Sequence, residues 1–220
     1  MSIDSVSAVQ LIKTNTNFLS MLKFTLSEME ELLQIYSLKF LSDRNPETEW
    51  KIKFPTFAPQ FYETTFRHNI VPTQEKFWKS WSRRYKNNEI LTSLSEAQSK
   101  GLQARVYRTY PSLVRDLHFA LLLRDSHKFD EVIYNIKLDV QYGIDLIVLH
   151  KQKIFAVNLF TDTKRAANAR KYKANRHPDI TDIINIDLPV SFKGSKKIGD
   201  FFLYSHRELI ELENEILFWC

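Results

Sequence analysis

The sequence predicts an α/β (α+β) fold: a three-layer core with a mixed sheet flanked by helices, joined to a mainly helical N-terminal region. Three observations carry this. Residues 131–140 alternate apolar and mostly polar side chains. IDLIVLH and KIFAVNLF are apolar, β-branched runs separated by the polar KQK. Helical apolar spacing lies on both sides of them, in PSLVRDLHFALLLRDS and HRELIELENEILFWC. A sheet with helices before and after it buries its faces by stacking in layers.

Residues 1–41 read as helical. Ser27 and Glu30 form a capping box, S-x-x-E, ahead of Met29, Leu32, Leu33, Tyr36 and Phe40 at helical spacing. Residues 42–72 hold four of the seven prolines with aromatics between them, an ordered connector with one short strand, WKIKF. Thr73 caps a helix over TQEKFWKSWSRRYKNN, and TSLSEAQSKGL forms another, ended by Gly101. Pro111 suits the first turn of the next helix. EVIYNIKLDV is a half-polar strand, and Gly143 marks a turn. The two apolar runs pair as an antiparallel hairpin turning about His150–Lys153. Thr161 or Asp162 caps a helix over TKRAANARKYKAN. DIINIDLPV and IGDFFLYS are strands, and Ser205 with Glu208 caps the last helix. The domain division expected is 1–105, helical with an aromatic and proline-rich connector, and 106–220, the core with its C-terminal helix.

The chain has 220 residues, 44% of them hydrophobic, with four glycines, so it can build a substantial core. One cysteine excludes a disulfide framework or a cysteine-based metal site. No charged leader precedes an apolar run, and no segment approaches the ~18 apolar residues of a membrane span, so a cytoplasmic protein with no membrane partner is expected. The net charge of +5 permits a polyanionic partner. No Walker loop, G-x-G-x-x-G, G-x-S-x-G or H-E-x-x-H occurs.

The order helix, three strands, helix, strand over residues 111–189, with Asp145 opening the second strand in GID, resembles the PD-(D/E)xK nuclease superfamily of restriction-endonuclease-like fold, as a divergent member. The resemblance implies a metal-dependent nuclease, most directly an endonuclease acting on DNA, with Mg²⁺ or Mn²⁺ as cofactor. It implies that Asp145 is a metal ligand, joined by an acid on the third strand, with a lysine two residues later assisting the attacking water. A homodimer, with two sites for two strands, is a further implication. Mg²⁺ prefers hard oxygen ligands and keeps several waters, so two carboxylates and a substrate phosphate suffice.

The third strand departs from that pattern. A symmetric hairpin places Asn158 opposite Asp145, with Phe160 two residues on. A literal D-x-K occurs as Asp162-Thr163-Lys164. Four residues at ~3.3 Å each put Asp162 about 13 Å beyond the Asn158 level, so it reaches a shared metal only if the strand bulges. Two alternatives stand: Asp162 as second metal ligand, or Asn158 as a neutral oxygen with Lys164 or Lys171 supplied from the following helix. The plain reading of Asp162 is a helix cap.

After Asp162 that helix carries Lys164, Arg165, Arg170, Lys171, Lys173 and Arg176 with no acid, a candidate nucleic-acid-binding surface. In FWKSWSRRYK the aromatics at 78, 81 and 85 follow a core stripe, which favours inward packing over base stacking. His118 reads as a core histidine. Two rivals to the nuclease are a decayed nucleic-acid-binding module on the same fold, motivated by the missing acid on the third strand, and a non-enzymatic interaction protein.

Overall fold

The computed structural model describes residues 6–14, 17–163 and 180–220. A two-residue strand, β1 (Val6–Ser7), and α1 (Ala8–Thr14) lead to α2 (Leu26–Ile35). Then come α3 (Ala58–His68), α4 (Gln74–Arg84), α5 (Glu89–Thr92) and the long α6 (Glu96–Ser126). The strands are β2 (Glu131–Ile133), β3 (Leu146–His150), β4 (Lys153–Thr161), β5 (Ile180–Thr181), β6 (Ile184–Val190), β7 (Lys196–Ile198) and β8 (Phe201–Leu203). The helix α7 (His206–Trp219) closes the chain.

The central sheet has the order β2-β3-β4-β6, with the first two pairings antiparallel and the last parallel. This is the expected mixed sheet. One face carries Leu146, Val148, Phe155, Val157, Ile186 and Leu188 into the main core, beside α2, α3, α4, α6 and α7. The other face buries Ile147 and Ala156 with Ile133, Leu138 and Ile144, and Ile12 of α1 packs there. Alternation explains the division, since successive side chains on a strand point to opposite faces.

Several expectations are corrected. The first capping box is Thr25 with Glu28, two residues earlier than Ser27 with Glu30. The helix ends at Ile35, and Phe40 stays 79% exposed. WKIKF forms no strand; Glu47–Lys51 is a single wide helical turn. The alternating run from Glu131 is a strand only to Ile133. Asn135 ends it: its Oδ1 accepts from the amides of Lys137 at 2.7 Å and Leu138 at 3.3 Å, which coils the chain into the turn Leu138–Tyr142.

Gly101 does not end a helix, and Pro111 does not begin one; α6 runs through both. A Cβ on Gly101 would meet Asn45 Cβ at 2.6 Å and Thr48 Oγ1 at 2.9 Å, so glycine is there for close packing of the 45–48 turn. A mid-helix proline leaves the carbonyl four residues earlier without its donor. Here that carbonyl is Tyr107 O, and buried Gln74 at the start of α4 donates to it from Nε2 at 3.0 Å. Gln74 also accepts from Lys39 N at 2.8 Å. Gln74→Leu is therefore expected to lower stability by about 2 kcal/mol in urea unfolding, since it orphans buried backbone groups. Adding Pro111→Ala should recover part of the loss by restoring the helical donor to Tyr107.

IGDFFLYS is not one strand: β7 already begins at Lys196 in the lysine-rich turn and ends at Ile198, Gly199 reverses the chain at φ 52°, and β8 begins at Phe201. The run TSLSEAQSKGL is likewise divided, with α5 ending at Thr92 and Ser95 capping α6. Other caps and faces follow the sequence. Thr73 caps α4, accepting from Lys76 N at 3.3 Å, and Ser205 with Glu208 forms a capping box on α7. Trp81 is fully buried, with Trp78 packed against the same core, so the aromatics of α4 point inward. The helix expected after Asp162 lies outside the described residues. No helix among the described residues is long and apolar enough to cross a membrane.

Candidate active site

The chain enters β3 through a tight reversal. Gly143 takes φ 69°, a left-handed conformation, and its amide bonds to Asp139 O at 3.0 Å. Ile144 is buried, Asp145 half-buried, and Leu146 begins the strand. The hairpin turns with His150 opposite Lys153 and Leu146 opposite Val157. One further step sets Asp145 beside Asn158, as the symmetric hairpin predicts. Asp145 Oδ2 accepts from Leu159 N at 2.8 Å, which ties this carboxylate to β4.

The row continues across the sheet. Asn158 pairs in register with Asp187 of β6, and its Nδ2 donates to Asp187 Oδ1 at 3.2 Å. That bond turns the amide nitrogen toward β6. Asn158 Oδ1 has no hydrogen-bond donor among the described residues, and so remains able to act as an oxygen ligand. Asp187 was missed in the sequence. In INIDLPV it looks like any polar residue on the outer side of a strand, and only the parallel register with β4 brings it beside Asn158.

Two more carboxylates lie close by, Asp116 on α6 and Asp139 in the turn before Gly143. Their influence is seen at the buried phenols of Tyr62 and Tyr134, whose rings lie 4.2 Å apart. Burial pushes the Tyr62 hydroxyl well above the usual tyrosine range, and the charges of Asp116, Asp139 and Asp145 push it further. Tyr134 is raised by burial first and then by Tyr62, Asp139 and Asp145 among its neighbours. Arg115 Nε lies 3.6 Å from Asp116 Oδ1. Asp116, Asp139 and Asp145 thus gather around the mouth of β3, and neighbouring carboxylates favour a bound cation.

The sequence-derived residues divide clearly. Asp145 and Asn158 come together. Asp162 does not join them: β4 and β6 pair without interruption from Phe155↔Ile184 to Thr161↔Val190. No bulge shortens the path, so Asp162 stays about 13 Å along the strand from the Asn158 level. It is exposed, and its amide bonds to Val190 O at 2.8 Å, extending the ladder. Lys164, Arg165, Arg170, Lys171, Lys173 and Arg176 lie outside the described residues. His118 is fully buried and bonded through Nε2 to Glu30 Oε1 at 2.8 Å, a core histidine as expected.

Among the described residues no group of three or more His, Cys, Asp or Glu side chains is arranged to hold a metal ion. The donor set at Asp145 is nevertheless oxygen only: a carboxylate, an amide oxygen, and Asp187 at the end of the same row. That set fits a hard cation that keeps several waters and is completed by substrate phosphate. It does not fit zinc, which prefers nitrogen and sulfur ligands.

The sequence model of the TaqI restriction endonuclease family covers residues 16–194, well over half of the chain. No curated protein and no solved structure matches.

Proposed function

Because the chain belongs to the TaqI restriction endonuclease family, within the restriction-endonuclease-like superfamily, we propose that it is a DNA endonuclease that hydrolyses phosphodiester bonds with Mg²⁺ or Mn²⁺ at the mouth of β3. The observation that carries this is Asp145, held at the start of an inner strand by the Leu159 amide and flanked by Asn158. The site is a variant of the PD-(D/E)xK arrangement in which an amide replaces the acid of the third strand. A divalent ion there would lower the pKa of a bound water and neutralise charge developing on the phosphate.

The chain's own residues do the rest. Asp145 binds the cation directly. Asn158 offers Oδ1 as a neutral ligand, and Asp187 fixes the orientation of that amide. Lys164 or Lys171 supplies positive charge near the attacking water. Asp162 is four residues too far along an unbroken strand, and the register of β4 with β6 supports leaving it outside the metal's reach. The region over 1–105 shapes substrate choice, and the cations Arg165, Arg170, Lys171, Lys173 and Arg176 hold the nucleic-acid backbone. A homodimer would present two such sites to the two strands.

The amide at 158 is also the observation that favours a second reading, a module of the same fold that binds DNA without cutting it. Plasmid DNA incubated with the protein in Mg²⁺, Mn²⁺ or EDTA separates the two. Nicking or linearisation in either metal, absent in EDTA, is the expected result. Binding with no cleavage in any metal would establish the second reading and overturn the first.

A further inference from the structure

The groove between α3 and α4 stands apart from the Asp145 site and has a chemistry of its own. We infer that it is a second contact surface for the phosphate backbone of duplex DNA. The inference rests on the endonuclease reading for its choice of partner. The groove has a volume of about 670 Å³, and its lining includes five cations, Arg67, Lys76, Lys79, Arg83 and Arg84, against one carboxylate, Glu63.

The local pairing decides which charges remain for a ligand. Glu63 takes both Arg67, at 2.5 Å, and Arg84. Glu75 takes Lys79 at 2.7 Å. Lys76 and Arg83 have no carboxylate partner among the described residues, and both are exposed. They lie seven residues apart on α4, two turns along one face, about 10 Å of rise. The floor between them carries Gln60 and Ser80, bonded Nε2 to Oγ at 2.8 Å, so neutral donors accompany the cations. An elongated strip of separated point charges over hydroxyls and amides suits a run of phosphates, each contacted singly.

The sequence of α4 forces this arrangement. Phe77 and Trp81 are fully buried, so the opposite face of α4, which carries Lys76, Lys79 and Arg83, turns outward. The position relative to the carboxylates is equally telling. The inner side of α3 carries buried Tyr62, which feels Asp116, Asp139 and Asp145. Its outer side carries Gln60, Glu63 and Arg67 into the groove. Helix α3 thus presents one side to the groove and the other toward the carboxylates of the proposed cutting site. A single duplex can therefore span both, since specific DNA interfaces bury roughly 1,000–2,500 Å² of protein surface.

The test is fluorescence anisotropy of a labelled 25-base-pair duplex of random sequence, in EDTA, over a range of salt. Wild type is compared with Lys76→Ala/Arg83→Ala and with Lys100→Ala, an exposed cation outside the groove that already pairs with Glu96. The double variant should bind at least about tenfold more weakly, and its slope of log K against log salt should fall by about 2, near 0.9 for each lost phosphate contact. Lys100→Ala should match wild type. Melting temperatures should agree, because both substituted side chains are exposed. A double variant with wild-type affinity and slope overturns the inference, as does a wild-type protein that fails to bind duplex DNA. Cleavage of plasmid in Mg²⁺ is scored separately. Lost binding without any wild-type cleavage sinks the nuclease reading and leaves the groove; cleavage with an unaltered double variant does the reverse.

Discussion

Asp145→Asn is expected to reduce metal-dependent DNA cleavage by at least ~100-fold, a loss of about 2.7 kcal/mol in transition-state stabilisation. The substitution keeps the shape of the side chain and leaves a carbonyl oxygen to accept the Leu159 amide. It removes the negative charge that holds the cation. The melting temperature should therefore stay within a degree or two while activity collapses, a separation that Asp145→Ala would not give, because alanine also deletes the anchor to β4. Steady-state cleavage of a short duplex, with thermal unfolding of the same samples, makes the comparison. A variant that cuts at the wild-type rate would show that the carboxylate does not serve the chemistry.

Glu30→Ala is expected to lower folding stability at pH 7 by about 2–3 kcal/mol, because it leaves the buried His118 ring without its acceptor and the partly exposed Lys196 without its counter-charge. Glu30 of α2 accepts from His118 Nε2 at 2.8 Å and from Lys196 Nζ at 2.6 and 2.8 Å, so it joins α2, α6 and β7. The hydrogen bond from His118, followed by Lys196, holds its carboxyl down at about 2, against the opposing effect of burial. A carboxyl depressed in the folded state stabilises the protein above its unfolded value near 4.5 and loses that contribution as pH falls toward 2. Burial also holds the His118 ring below the usual histidine value of 6.5, and its Nδ1 has no partner. The unfolded chain takes up a proton there first, so stability begins to decline as pH falls through 6.5. Urea unfolding of wild type from pH 7 to pH 3 should show both losses. The difference between wild type and Glu30→Ala should shrink below pH 4.5; a difference that does not change with pH would remove the ionised carboxyl from the explanation.

The hairpin that carries Asp145 was legible because two β-branched apolar runs joined at a short polar turn admit one register, and the pairing His150↔Lys153, with Lys151 and Gln152 in the turn, is the one read from them. The long-range parts were not legible. Pro111 breaks a helix by local rules, but Gln74, 33 residues earlier than the carbonyl it serves, supplies the missing donor. The alternation from Glu131 to Val140 satisfied a strand pattern, yet the Asn135 side chain outcompeted the ladder for the backbone amides. That exchange matters for the site, since it places Asp139 and Gly143 in the reversal ahead of Asp145. Asp187 escaped notice because parallel pairing across a crossover leaves no local trace.

The same register bears on the D-x-K at Asp162. The literal motif is present in the chain, but a strand rising ~3.3 Å per residue carries it past the row it would have to join. Spacing along the sequence and spacing in the sheet diverge here, and the sheet decides what a single ion can touch.

Electron paramagnetic resonance of Mn²⁺, titrated into the protein with duplex DNA, tests most directly where the cation binds. The account predicts bound Mn²⁺ in wild type and in Asp162→Asn, and its loss in Asp145→Asn. Retention in Asp145→Asn together with loss in Asp162→Asn would contradict it.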